Sequence, residues 1–210
     1  MALTSLLPSV LAGWRDQTQS NIYITQWNNL PQKKGSPLEH IILLRGVTPN
    51  GKNAIPKMSY LVDILTEAGF QQVRTYIQSG NIILESDLDL EKLRERVHTL
   101  IKEKIGADLK IVIKNKSDFK KIVQENPFRE DYLYDRVHVI FYQESIQSLP
   151  LDKLKIDYDE EEICIGNHCL YLYLPRTAKQ KKLHTNYLEK LFNVDLTMRK
   201  LNVVEKLLSK

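Results

Sequence analysis

Cysteine is scarce in this sequence: Cys164 and Cys169 are the two among 210 residues. That is too few for a disulfide scaffold and fits a reducing compartment. Long apolar runs are missing too, and no stretch approaches the roughly 20 residues that cross a bilayer, which excludes an integral membrane protein. The opening MALTSLLPSVLAGW lacks a basic start and is interrupted by Pro8, which argues against a secretory signal. The expectation is a cytoplasmic protein with no membrane partner. Charge of one sign is not in excess: 30 Lys and Arg face 26 Asp and Glu, a net +4, far short of a dedicated polyanion binder. The five histidines show no HxxxH or HExxH spacing and no nearby zinc-type set, so no metal site is expected. There is no GxSxG elbow, no kinase-like set and no GxGxxG, so the familiar hydrolase, kinase and dinucleotide readings have no residues to rest on and no cofactor is expected.

What is present is a globular composition, 42% hydrophobic and 27% charged. A chain of this length hides roughly 70% of its unfolded surface without metals or disulfides. Residues 1–37 have no sustained apolar period and close on Gln32-Lys33-Lys34-Gly35-Ser36-Pro37, the pattern of an irregular extension with a linker. From residue 38 the punctuation is regular. His40–Leu44 reads as a buried strand. Met58, Leu61, Val62, Leu65 and Ala68 recur at helical spacing between Pro56 and Gly69. Val73–Gln78 and Asn81–Ser86 read as strands joined by a two-residue Ser79-Gly80 turn. Leu90, Leu93, Val97, Leu100, Ile101 and Ile105 predict a long helix with Asp89 before it and Gly106 after it. Leu109–Ile113 closes the unit as a strand.

The order β-α-β-β-α-β is that of a ferredoxin-like fold. The second half echoes it with a helix over 117–125, strand Val137–Tyr142, and a short helical stretch near 148–154. A hairpin of Glu161–Ile165 with Cys169–Leu174 and a helix from about Lys179 to Phe192 follow. A last helix runs from about Lys200 to Leu208, and no sequence self-similarity marks the halves as a repeat. The expected architecture is α+β: two ferredoxin-like subdomains with antiparallel sheets, over 38–115 and 116–210, and a C-terminal helix. An RNA-recognition sheet needs exposed aromatics on its central strands, whereas Ile42, Leu43, Ile82 and Ile83 stand there; that face reads as core.

Three polar segments fall at expected element ends. Arg45-Gly46-Val47-Thr48-Pro49-Asn50-Gly51-Lys52-Asn53 has the GxxxxGK spacing of a phosphate loop. Asn53 stands where a Ser or Thr must hold magnesium, and Pro56 would lie in the helix's first turns, so the phosphate-loop reading fails. The favoured reading is a glycine-permitted loop with a solvated lysine; its alternative is anion capture by Arg45, Lys52 and the loop amides. In Tyr76-Ile77-Gln78-Ser79-Gly80-Asn81, turn chemistry accounts for Ser79, Gly80 and Asn81 and leaves Tyr76 and Gln78 unexplained. In Thr197-Met198-Arg199-Lys200-Leu201-Asn202, Thr197 suits a helix cap. Arg199 and Asn202 would share one face of the first turn as an anion contact, with a surface ion pair of Arg199 the commoner alternative.

LLRGVTPNGKN, TYIQSGN and TMRKLNVVEKL, in that order and spacing, resemble the bacterial family called Domain of Unknown Function 1697, over about residues 38–210. The resemblance implies a cytosolic protein of two ferredoxin-like subdomains and brings no biochemical activity with it. Against the family's RGINVGGKN, Arg45, Gly46, Gly51, Lys52 and Asn53 match while Thr48 and Pro49 depart. Against TTRNWNTV, Thr197, Arg199 and Asn202 match while Lys200, Leu201 and Val203 replace Asn, Trp and Thr.

Arg176, Lys179, Lys181, Lys182 and His184 form a basic run entering the expected helix, where cations oppose the macrodipole. A bound phosphate or nucleic-acid backbone would offset that, as would the acids between Asp159 and Glu162. A Gly166-Asn167 turn would set Cys164 opposite Cys169 with Cα atoms about 4.5 Å apart, although reduced thiols are the expectation in the cytosol. The reading that joins these signals is a binding module for a small anionic or phosphorylated ligand. Its cleft would lie between the subdomains and use Arg45, Gly46, Lys52, Asn53, Arg199 and Asn202, with Tyr76, Gln78, Ser79 and Asn81 nearby. A nucleic-acid-associated protein acting through 176–184 is one alternative, and an enzyme of unrecognised class another; no residue is assigned a catalytic role.

Overall fold

The computed structural model describes residues 37–143, 149–154, 158, 160–179 and 182–210. Its first four strands, β1 (Leu38–Arg45), β2 (Gln71–Tyr76), β3 (Asn81–Ser86) and β4 (Lys110–Asn115), form an antiparallel sheet in the order β2-β3-β1-β4. Helices α1 (Met58–Glu67) and α2 (Leu90–Ile105) cover one face. Helix α2 starts where the Asp89 carboxylate accepts the Lys92 amide at 2.9 Å and stops at Gly106, whose left-handed φ is +83°, the paired start and stop signals of a capped helix. Leu93, Val97 and Ile101 of α2 and Leu61, Ile64 and Leu65 of α1 are buried on Ile42, Leu44, Ile82 and Leu84, each such side chain contributing about 1.5–3 kcal/mol.

The second sheet repeats the plan. Strands β5 (Val137–Tyr142), β6 (Glu162–Ile165), β7 (Leu170–Tyr173) and β8 (Leu196–Lys200) take the equivalent order β6-β7-β5-β8. Helix α4 (Thr185–Phe192) packs Leu188 and Phe192 on one face. Each sheet is followed by a helix, α3 (Lys116–Gln124) after β4 and α5 (Leu201–Leu208) after β8. The registers repeat too: His40 of β1 faces Asn115, the last residue of β4, and His138 of β5 faces Lys200, the last residue of β8. Arg199 is therefore the counterpart of Lys114. The halves share a topology that their side chains do not advertise.

The remaining faces meet in one shared core. Ile41, Leu43, Ile83 and Val112 of the first sheet pack with Val137, Val139, Phe141, Cys169 and Tyr171 of the second, together with Phe119 and Ile122 of α3 and Leu201, Val204 and Leu207 of α5. Ser36–Lys210 are one compact unit. Both faces of β1 are thus buried, and the first sheet offers no stacking platform for bases. Among the described residues no helix is long and apolar enough to cross a membrane.

Several boundaries differ from the sequence reading. Strand β2 ends at Tyr76, which pairs with Asn81, so the hairpin loop holds four residues, Ile77–Gly80, instead of two; Ile77 opens it at φ +51°. In the second hairpin Cys164 pairs with Tyr171 and Ile165 with Leu170, two residues out of the expected register, and both cysteines are free thiols. A shift of two preserves which face each side chain takes, so Cys164 and Cys169 still share the face with Tyr171. Leu196–Lys200 is strand β8, with Thr197 inside it and not at a helix cap. Helix α4 begins at Thr185, after the His184 ring accepts the Tyr187 amide at 3.2 Å, and not at Lys179. Of the stretch expected near 148–154, the described part holds a 3-10 turn over Leu151–Lys153. Residues 144–148 lie outside the described residues, as does the extension through residue 36.

Candidate functional site

Strand alternation sets the first part of the site. Leu196 and Met198 of β8 pack into the second sheet's own core, so Thr197 and Arg199 point the other way, toward the first sheet. Arg199 is 9% exposed. Its Nε donates to Asn81 Oδ1 at 2.6 Å, and its Nη1 donates to Thr197 Oγ1 and the Met198 carbonyl, both at 2.9 Å. Its Nη2 donates to the Leu44 and Ser79 carbonyls at 3.0 Å and, at 3.4 Å, to Gly80. Asn81 is held in turn, its Nδ2 donating to the Tyr76 carbonyl and to Ser79 Oγ, both at 2.9 Å. The chain reaches this geometry through Gly80 (φ +75°), where an added Cβ would stand 2.8 Å from Leu44 Cβ. Every acceptor on Arg199 is neutral. Burial, and then the neighbouring Arg45, lower its pKa to about 10, which leaves it charged at neutral pH.

Arg45, the last residue of β1, reaches across to α4. Its Nε and Nη2 donate to Glu189 Oε1 at 3.2 Å and Oε2 at 3.0 Å, a two-point fork, and Nη2 also donates to Asn186 Oδ1 at 2.6 Å. Glu189 Oε1 accepts the Leu196 amide as well, at 3.1 Å. Beside this pair lies a groove of about 780 Å³. Arg45, Gly46, Asn53, Asp108 and Lys110 line it from the first half; Asn186, Glu189, Lys190, Asn193 and Asp195 line it from the second. The loop after β1 is folded onto this wall, with Asn53 Oδ1 accepting the Asp108 amide at 3.2 Å and the Asn53 carbonyl accepting the Thr48 amide at 3.2 Å.

The electrostatics of the groove follow from its pairings. Lys110 meets Asp195 at 3.2 Å. Asp108 is held below the usual carboxylate range by His98 first and Lys102 second, at 2.9 and 3.1 Å. Glu189 is matched by Arg45. Lys190 has no ion pair among the described residues, and Arg199 lies behind Arg45 with no carboxylate. The groove therefore carries a local positive surplus despite its equal numbers of lining cations and anions.

Of the residues singled out by sequence, Arg45, Gly46 and Asn53 line this groove. Lys52 is exposed on the loop outside it. Ser79, Asn81 and Arg199 are brought together, as a fastening between the halves. Tyr76 packs against the shared core, with the Lys210 ammonium 5.8 Å from its ring. Gln78 is exposed and donates to the Ile55 carbonyl at 3.3 Å. Asn202 is exposed in the first turn of α5; because Arg199 sits in a strand, the two do not share a helical turn. In the basic segment Arg176 donates to Asp135 at 2.8 Å. The Lys182 and Leu183 amides, just before α4, both donate to buried Glu161 at 2.7 Å; residues 180 and 181 lie outside the described residues. Asp108, Lys110, Asn186, Glu189, Lys190, Asn193 and Asp195 were not marked by sequence, since on an amphipathic helix or at a strand end such residues read as solvated surface. Among the described residues no cluster suited to a metal ion occurs.

Fold and groove together define an α+β protein of two successive ferredoxin-like sheets, closed by a C-terminal helix, with a polar groove where β1 meets α4. The chain belongs to the family described as Protein of unknown function (DUF1697), which matches residues 38–171; the TMRKLN segment lies beyond that span. No curated protein matches. The conserved bacterial protein SP0830 from Streptococcus pneumoniae is similar in structure, with a TM-score of 0.67 at 22% sequence identity over 83% of this chain and 98% of that one. At that identity the likeness is one of fold.

Proposed function

We propose that this protein is a binding module for a small anionic or phosphorylated ligand, received in the groove lined by Arg45, Asn53, Asn186 and Lys190. The observation that carries this reading is the uncompensated charge beside the groove: Arg199 is enclosed by neutral acceptors behind Arg45. Charge without a counter-ion in a poorly screened setting favours an incoming anion. Sequence reasoning made Lys52 and Asn202 ligand contacts and placed Tyr76, Gln78, Ser79 and Asn81 near the ligand; in this reading all six serve structure or solvent. The nucleic-acid alternative has less support, because Arg176 already has a carboxylate partner.

The test is thermal stability of the full chain against nucleotides, phosphosugars, carboxylates and short polynucleotides at constant ionic strength. A ligand at a hundred times its Kd adds about 2.7 kcal/mol, which moves the midpoint of a chain this size by roughly 5–10 °C. A shift with a small anion that disappears in Arg45→Ala is the expected result. A shift confined to polynucleotides would transfer the function to the basic segment.

A further inference from the structure

We infer that Glu189 occupies the ligand's place on Arg45, and that the group which displaces it is a phosphoryl dianion. The inference rests on the groove reading above and deepens it. The Arg45 edge that borders the groove is taken by the Glu189 carboxylate through two bonds, Nε to Oε1 at 3.2 Å and Nη2 to Oε2 at 3.0 Å. That is the pose in which a guanidinium binds a carboxylate or phosphate. Around it stand Lys190, without an ion pair among the described residues, and the side-chain amides of Asn53, Asn186 and Asn193, with the buried charge of Arg199 behind Arg45. One carboxylate leaves that surplus unmet.

The choice of ligand follows from competition. A free monocarboxylate would exchange like for like with a tethered one whose effective concentration is on the order of millimolar or more, and would bring no additional charge. A phosphate monoester brings a second charge for Lys190, within the field of Arg199 behind Arg45, and a third oxygen for the amides. Glu189 released from Arg45 still has the Leu196 amide, which it holds at 3.1 Å, so it leaves without becoming an orphan. Glu189 is in this sense both a specificity residue and an autoinhibitory contact.

The experiment titrates methyl phosphate and, separately, acetate into the full chain, its Glu189→Gln variant and its Arg45→Ala variant at constant ionic strength, by calorimetry. Gln keeps an oxygen for the Leu196 amide while removing the competing charge. The expected result is that methyl phosphate binds the natural chain and acetate does not. Glu189→Gln then tightens methyl phosphate by roughly tenfold, the effect of about 1.4 kcal/mol, and admits acetate, while Arg45→Ala abolishes methyl phosphate binding. If Glu189→Gln binds methyl phosphate no tighter while Arg45→Ala still abolishes it, the displacement is overturned and the groove stands. If Arg45→Ala binds as the natural chain does, or none of the three binds, the groove reading falls and this inference with it. Should Glu189→Gln fail to fold, the Arg45 Nε–H resonance of the natural chain decides: a shift on saturation with methyl phosphate is expected, and an unshifted signal overturns the displacement.

Discussion

Arg199 and Asn81 stand 118 positions apart in the chain and meet through a 2.6 Å Nε to Oδ1 hydrogen bond at the seam of the two sheets. The bond orients a planar donor fork whose other N–H groups take up carbonyls of Leu44, Ser79 and Met198. Removing the guanidinium leaves several buried acceptors without donors, and hydrogen bonds to charged groups contribute about 1.5–3 kcal/mol each. Arg199→Met, similar in length and uncharged, should lower stability by about 3–5 kcal/mol in urea unfolding. Arg199→Lys, with three donors in place of five, should fall between the two. A loss under about 1 kcal/mol for Arg199→Met would show that the fork does not fasten the halves.

Gly80 and Gly51 both sit at positive φ, +75° and +88°, but only Gly80 has neighbours where a Cβ would go. Gly51→Ala should therefore cost only the left-handed penalty, about 1–2 kcal/mol. Gly80→Ala adds a 2.8 Å approach to Leu44 Cβ and a 3.0 Å approach to Val47 Cγ2, in a hairpin loop pinned to β1 by the Leu44 amide, which donates to the Gly80 carbonyl at 2.8 Å. It should cost about 1–3 kcal/mol more than Gly51→Ala. Equal losses for the two variants would mean that the hairpin yields, and that Gly80 is needed for its φ alone.

These relationships mark what was legible in the sequence. The elements of the first half were, because Asp89, Gly69 and Gly106 announce helix ends and the apolar period of α2 is sustained. The three motif segments were legible as places where elements end, and two of them converge as the Arg199 fastening. Strand β8 was not, since LTMRK carries a buried arginine at a position where a charge reads as surface. The hairpin lengths were misjudged for a related reason. Ile77 adopts φ +51°, and nothing about a β-branched side chain advertises a left-handed backbone. The groove was half legible: Arg45 and Asn53 belong to a motif, but Glu189 and Lys190 differ in no local way from any polar helix face.

Cys169 is fully buried, and burial pushes its thiol up to about 12, whereas Cys164 is half-buried on β6 opposite Tyr171. The thiolate is the reactive form. A thiol reagent at pH 8 should modify Cys164 in the native protein and reach Cys169 only as the chain unfolds, so that the second labelling follows the denaturation curve. Intact mass under non-reducing conditions should show both thiols free. A mass two hydrogens lighter would contradict the paired register of β6 and β7.

His138 supplies a pH dependence whose direction follows from its surroundings. It is 8% exposed on β5, and its pKa is lowered by burial first, with Lys200 adding to the effect against the opposing Arg136 carbonyl. Burial lowers His40 in the same direction. In the unfolded chain both rings titrate near 6.5, so between that value and the lower folded values the unfolded state binds more protons than the folded one. Stability then rises with pH across this window and is lost as the solution is acidified through it. The carboxylates held low by their partners, Glu39, Asp108 and Asp135, act only near and below about pH 4, so the interval from pH 7 to 5 isolates the histidines. Urea midpoints measured across it should decline with acid, and His138→Phe should flatten the decline even if it lowers the midpoint at pH 7. A flat profile in the natural chain would mean that His138 and His40 take up protons without unfolding.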